Sequence, residues 1–205
     1  MTEFHTTDPK LTVLHELFTT ATGTASVAMS RWTSGKITLS LDEVREIELE
    51  RVPAELNLGD EMLTMIALTL EGELGGQIIL TMDEENGRQL AASLLGRDVN
   101  TDPEWSELEI SALNETGNIL GCAYMNALTR VIDADLVPSP PYFIQDFGAS
   151  ILEQAVMTQA MVSDKALICR TIFQREGEQL NWNVFFVPTE ALLTKLESAF
   201  ETVGG

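Results

Sequence analysis

Apolar residues recur at helical spacing in two long stretches and alternate, or run continuously, in most of the others. From about Leu11 to Arg31, Leu14, Leu17, Ala21, Ala25, Ala28 and Met29 keep a helical period, with small residues that permit close packing. That spacing predicts a first long helix. After Gly35, the alternation of Ile37, Leu39 and Leu41 predicts a short strand, followed by an acidic segment of unassigned form. Apolar runs at Glu61–Leu70 and Gly76–Met82 flank Glu71-Gly72-Glu73-Leu74-Gly75, which predicts a β-hairpin. With no Gly-Lys-Ser/Thr behind them, those glycines serve the turn and not a phosphate loop. Asp83 as N-cap, an acidic first turn and Gly96 as C-cap frame a shorter helix.

The second half follows the same plan. A long helix starts near Pro103 to Ser106, its first turn acidic at Glu104, Glu107 and Glu109, and Leu113, Gly117, Leu120, Tyr124, Leu128 and Val131 form its apolar face. The prolines of ADLVPSPPYFIQDFG suit an edge strand or extended segment leading into the second half's own sheet. Strand character from Val156 to Phe173, a turn at Glu176-Gly177-Glu178 and the run LNWNVFFVP predict a second hairpin, and Pro188-Thr189-Glu190 opens a last helix. Setting Glu16 against Glu115 also aligns Ala28-Met29-Ser30 with Ala127-Leu128-Thr129. The expected architecture is an α+β fold: a pseudo-twofold repeat of helix, strand, hairpin and helix, with one mixed or antiparallel sheet and two long helices side by side. Residues 1–205 are expected to form a single domain, with half-repeats at about 9–97 and about 104–203.

Composition narrows the setting. With 44% apolar residues in 205, a substantial core is available. No 18-residue apolar run is present and the polar start MTEFHTTDPK lacks signal-peptide order, so a cytoplasmic protein is expected. Twelve Lys+Arg against 32 Asp+Glu, net −20, argue against nucleic acid and anionic membrane as partners and favour a basic or mixed protein surface. Acidity that serves solubility alone reads equally well. Cys122 and Cys169 lack CxxC spacing and suggest neither a disulfide framework nor a zinc site.

The candidate chemistry sits on the second long helix. Ser111, Glu115 and Asn118 fall within about 60° of one another at 3.6 residues per turn, opposite the apolar face. A carboxylate and a carboxamide one turn apart on a rigid element suit holding a substrate group and a water, although such a row is also what a plain solvated face looks like. Cys122 continues the row without a nearby His or Lys and reads as an unactivated thiol. Met125 extends it as a docking contact, whereas Met62, Met65, Met82, Met157 and Met161 read as core. His15-Glu16 lacks the second His of a zinc protease.

Ser111-x-x-x-Glu115-x-x-Asn118, then 22 residues, then Pro141, resembles the signature of the CheC/CheX/FliY family of chemotaxis phosphatases, and GNILGCAYMNAL resembles CheC itself. The resemblance covers nearly the whole chain. It implies a hydrolase for the aspartyl phosphate of a CheY-like response regulator, with Asn118 orienting the attacking water and Glu115 pairing with the regulator's lysine. Ser111 and Pro141 are implied as accessory residues, and Mg²⁺ as supplied by the regulator, so that the chain needs no metal of its own. It also implies an alternative: a non-catalytic adapter that binds a regulator, the receptor deamidase CheD or the flagellar switch. A flagellar member would normally carry a further switch-type domain, for which 205 residues are expected to leave no room. The first half-repeat places Thr12, Glu16 and Thr19 at the motif positions and Asp42 where the proline falls. A Thr hydroxyl is shorter than a carboxamide and lacks its paired donor and acceptor, so one competent site is expected, not two.

Overall fold

The structure is a computed structural model that describes residues 8–51, 62–72, 74–148, 150, 165–175 and 177–201. Four helices are described: α1 (Pro9–Trp32), α2 (Glu84–Leu95), α3 (Glu107–Ile132) and α4 (Glu190–Glu201). The strands are β1 (Ile37–Glu48), β2 (Met62–Glu71), β3 (Gly76–Asp83), β4 (Val137–Pro138), β5 (Tyr142–Phe147), β6 (Lys165–Arg175) and β7 (Glu178–Pro188). Among the described residues all pair antiparallel in one seven-stranded sheet of order β1-β6-β7-β3-β2, with β4 and β5 both on the outer side of β2.

That order carries the twofold. Exchanging β1 with β5, β2 with β6 and β3 with β7 reproduces the same order read backwards, so each half's leading strand completes the other half's hairpin. The helices show it at residue level. Leu14, Leu17, Phe18, Ala21, Thr22, Ala25 and Met29 are buried in α1, and the residues 99 positions later, Leu113, Thr116, Gly117, Leu120, Gly121, Tyr124 and Leu128, are all buried in α3. α1 and α3 pack against each other, as the paired apolar faces require. Their contact encloses a polar bridge: the Tyr124 hydroxyl lies 3.0 Å from Thr22 Oγ1 and 2.7 Å from Thr171 Oγ1 on β6. Burial disfavours the phenolate, and although both hydroxyls oppose this, the Tyr124 pKa is pushed up to about 12.

Both predicted hairpins form, as do the Asp83 N-cap and the left-handed Gly96 C-cap of α2. Four expectations need correction. β1 is one 12-residue strand with a bulge between Leu41 and Glu43, because pairing with β6 continues through the acidic stretch. The proline-rich segment joins β2 of the first half and not the second half's strands. Met125 is 4% exposed and belongs to the core: α3 touches α1, α2, α4 and β2, so its buried arc is wider than one stripe. Met62 is 45% exposed, beside Phe147 at the outer strand, and is not core. The strand expected from Val156 is described from Lys165 onward, and Met157 and Met161 lie outside the described residues. Among the described residues, no helix is long and apolar enough to cross a membrane.

Candidate functional site

The element that carries the site is fixed at its start and along one face. Ser106 caps α3 and forms a reciprocal capping box with Glu109. The Glu109 carboxylate is fully buried and accepts from Asn100 Nδ2 at 3.0 Å, Ser106 N at 2.9 Å and Ser106 Oγ at 2.7 Å, with Arg97 and Arg88 close by. Burial alone would raise its pKa, but the hydrogen bonds and Arg97 prevail and hold it below the ordinary carboxylate value. Arg88 donates to Glu84 and to the Pro103 carbonyl and sits 4.4 Å over the Trp105 ring, which meets Phe143 of β5 edge-on. These contacts bind α2, the start of α3 and the outer strand into one unit.

Along the buried face, Gly117 and Gly121 let the helix lie directly on β2. A Cβ at Gly117 would sit 2.4 Å from Ile66 Cγ2, and one at Gly121 2.7 Å from Leu68 Cδ2. Trp32 Nε1 donates to Thr116 Oγ1 at 3.0 Å and ties α1's end to the same helix.

With that face pinned to the sheet, the opposite one is presented outward over an open groove of about 970 Å³. All four motif residues line it: Ser111, Glu115 and Asn118 from α3, and Pro141 from the segment leading into β5. Glu115 and Ser111 are exposed, and among the described residues neither side chain has a protein partner. Asn118 is half-buried, with its Oδ1 3.7 Å from the Cys122 thiol, which donates to it weakly. The proline wall is held by a residue that the sequence pattern did not mark. Ser139 N donates to Thr69 O at 2.8 Å, and its Oγ accepts from Thr69 N at 3.0 Å, which latches Pro138–Pro141 to β2. Nothing in the periodicity distinguishes Ser139. Ser106-x-x-Glu109, by contrast, is a legible capping pattern.

The first half-repeat presents no equivalent constellation. Thr12, Glu16 and Thr19 are exposed on α1, but Thr12 Oγ1 donates to the Asp8 carbonyl at 3.1 Å and Thr19 Oγ1 to the His15 carbonyl at 2.7 Å. Both hydroxyls are engaged by their own helix. Asp42 lies at the β1 bulge and is ion-paired with Arg170, so a charged pair occupies the place that Pro141 fills in the second half.

No family model matches the chain. In sequence it is similar to the CheY-P phosphatase CheC of Bacillus subtilis strain 168, 25% identical over 194 residues and 92% of each chain. In fold it is similar to FliY of Thermotoga maritima, with TM-score 0.72, 17% identity and coverage of 97% and 99% of the two chains. It is also similar to the structure of the CheX–CheY–BeF₃–Mg²⁺ complex of Borrelia burgdorferi, with TM-score 0.54, 17% identity and coverage of 86% and 99%. In sequence the chain is thus similar to CheC, and in backbone to FliY and CheX, the proteins to which the spacing from Ser111 to Pro141 pointed.

Proposed function

We propose that this chain is a phosphatase that hydrolyses the aspartyl phosphate of a CheY-like response regulator, with residues 1–205 acting as one domain that carries one site. The observation that carries this reading is the joint presentation of Glu115 and Asn118, one helical turn apart, on a rigid helix over a single groove walled by Pro141. The similarity to a CheY-P phosphatase over nine-tenths of the chain supports the same reaction.

Hydrolysis of an acyl phosphate transfers the phosphoryl group to water as the aspartyl C–O–P link breaks at phosphorus. This leaves aspartate and inorganic phosphate, and it needs alignment and charge neutralisation more than a protein nucleophile. Asn118 enters the regulator's site and holds the attacking water in line through its carboxamide, which both donates and accepts. Glu115, without a partner among the described residues, pairs with the regulator's active-site lysine and fixes the docked geometry by a charge-assisted hydrogen bond. Ser111, one turn earlier, extends the docking row, and Pro141 shapes the facing wall. Mg²⁺ is assigned to the regulator, as the resemblance implies. The solved CheX complex contains CheY and Mg²⁺ together. CheD is retained as a candidate second partner through the CheC resemblance.

The test is release of inorganic phosphate from a phosphorylated regulator. Asn118→Ala is expected to lower kcat at least about a hundredfold, the effect of losing alignment, while changing stability by less than about 1 kcal/mol at this helix position. Unchanged phosphate release by that variant refutes the catalytic assignment. Tight binding of the regulator without any release by the wild type establishes the adapter instead.

A further inference from the structure

A second depression lies on the other side of α2's last turns from the groove. It is a recess of about 150 Å³ lined by Thr33, Lys36, Gln89, Ser93, Arg175 and Trp182, with Ile37 and Leu90 at its floor. It brings together two cations of a strongly acidic chain, and Arg31, Arg130 and Lys195 share with them the lack of an ion pair among the described residues. Basic residues are outnumbered 32 to 12, and Lys10, Arg45, Arg88, Arg97 and Arg170 are all ion-paired with carboxylates. Lys36 and Arg175 form no ion pair among the described residues. Lys36 Nζ donates to Ser93 Oγ at 2.9 Å and Arg175 Nη1 to Gln89 Oε1 at 3.2 Å. Gln89 and Ser93 are one turn apart on α2, so both cations are drawn to one rim of the recess by neutral groups. Glu178 is Arg175's cross-strand neighbour, yet the guanidinium turns to Gln89.

The third feature is independent of the charges. Trp182 is 2% exposed, and its indole Nε1–H is buried with no hydrogen-bond partner among the described residues. A buried donor left unpaired destabilises by about 1–3 kcal/mol, and this one belongs to a residue that lines the recess.

We propose that this recess binds a free tetrahedral oxyanion of the inorganic phosphate class. Lys36 and Arg175 clamp it, the Ser93 hydroxyl, whose oxygen accepts from Lys36, donates to it, and the Trp182 ring forms part of the wall. A recess of about 150 Å³ is the equivalent of about five waters at ~30 Å³ each, which is room enough for a phosphate. Charge agrees, because two unpaired cations match a group that carries between one and two negative charges near neutral pH. The site is distinct from the Glu115–Asn118 groove and stands whether or not the chain hydrolyses acyl phosphates.

The experiment is a titration of ¹⁵N-labelled protein with inorganic phosphate at constant ionic strength, with sodium chloride as the comparison. It follows the Trp182 indole resonance, one of three in the chain, identified by its loss in Trp182→Phe. Phosphate is expected to move that resonance saturably where chloride does not, and Lys36→Ala and Arg175→Ala are each expected to weaken binding about tenfold. Both side chains are exposed, so these variants fold, which their unchanged thermal unfolding verifies. A linear shift identical to that with chloride, or equal phosphate affinity in the double variant Lys36→Ala/Arg175→Ala, overturns the proposal.

Discussion

Gly117→Ala and Gly23→Ala are the same chemical change on the two paired helices, and the structure assigns them opposite signs. Gly23 lies within α1 with nothing within 4 Å of where a Cβ would stand. Alanine there brings only the gain in helix propensity, about 0.5–1 kcal/mol. At Gly117 the same gain meets an obstacle. The new Cβ would be 2.4 Å from Ile66 Cγ2 and 3.3 Å from Ile66 Cβ, whereas carbon atoms rest at about 3.5–4.0 Å. Ile66 is branched at Cβ and fully buried, so its methyl cannot swing aside, and α3 must lift from β2 by about 1 Å. Overpacking of this kind destabilises by up to about 3 kcal/mol; less the propensity gain, Gly117→Ala should lose about 2 kcal/mol. In a chain of this length that lowers Tm by about 4–8 °C. Gly121→Ala should lose less, because its obstacle is Leu68 Cδ2, the movable end of a longer side chain. Urea unfolding followed by circular dichroism measures all three. Because the lifted helix also carries Glu115 and Asn118, phosphate release should fall in Gly117→Ala and stay unchanged in Gly23→Ala. A Gly117→Ala protein as stable as the parent refutes the close-packing argument.

Glu115→Ala should raise the Kd for the phosphorylated regulator about tenfold or more with little effect on folding, a loss of a charge-assisted contact that a binding titration reads directly. Glu109 has its folded pKa lowered, so its contribution to stability is complete above the unfolded value and lost as pH falls through the folded one. Urea midpoints of the wild type should therefore drop more steeply below about pH 4.5 than those of Glu109→Gln. For Tyr124 the sign reverses: its raised pKa makes the contribution complete below about pH 10 and lost as pH climbs toward the folded value of about 12. Tyr124→Phe should be less stable by about 1–2 kcal/mol at neutral pH and should show a shallower alkaline decline.

Much of the site helix was legible because its face is set by a single period. Leu113, Gly117, Leu120, Tyr124 and Leu128 are buried, and Ser111 and Glu115 are exposed, as 3.6-residue spacing requires. Met125 was misread because a wheel assumes one covered side, whereas α3 is touched by three helices and by β2, β4 and β5. The alternation in β1 marked a strand but not its extent or partner, since period two says which face a side chain takes and nothing about which strand lies alongside. The same blindness hid β5's crossing to β2. Ser139 and the Arg88–Trp105–Phe143 stack depend on residues brought together from distant segments, which no local pattern records.

The reciprocal exchange of leading strands has a consequence for synthesis. A ribosome that has delivered only the first hundred residues has made a β2–β3 hairpin open on both flanks, and a β1 whose β6 mate has not yet been translated. Such a nascent piece offers bare ladder edges to other chains, so the molecule must close late, through contacts distant in sequence, and slowly for its size. Expressed by itself, that piece would find its missing neighbours in a second copy, which reconstructs as a symmetric pair what the full chain achieves within itself.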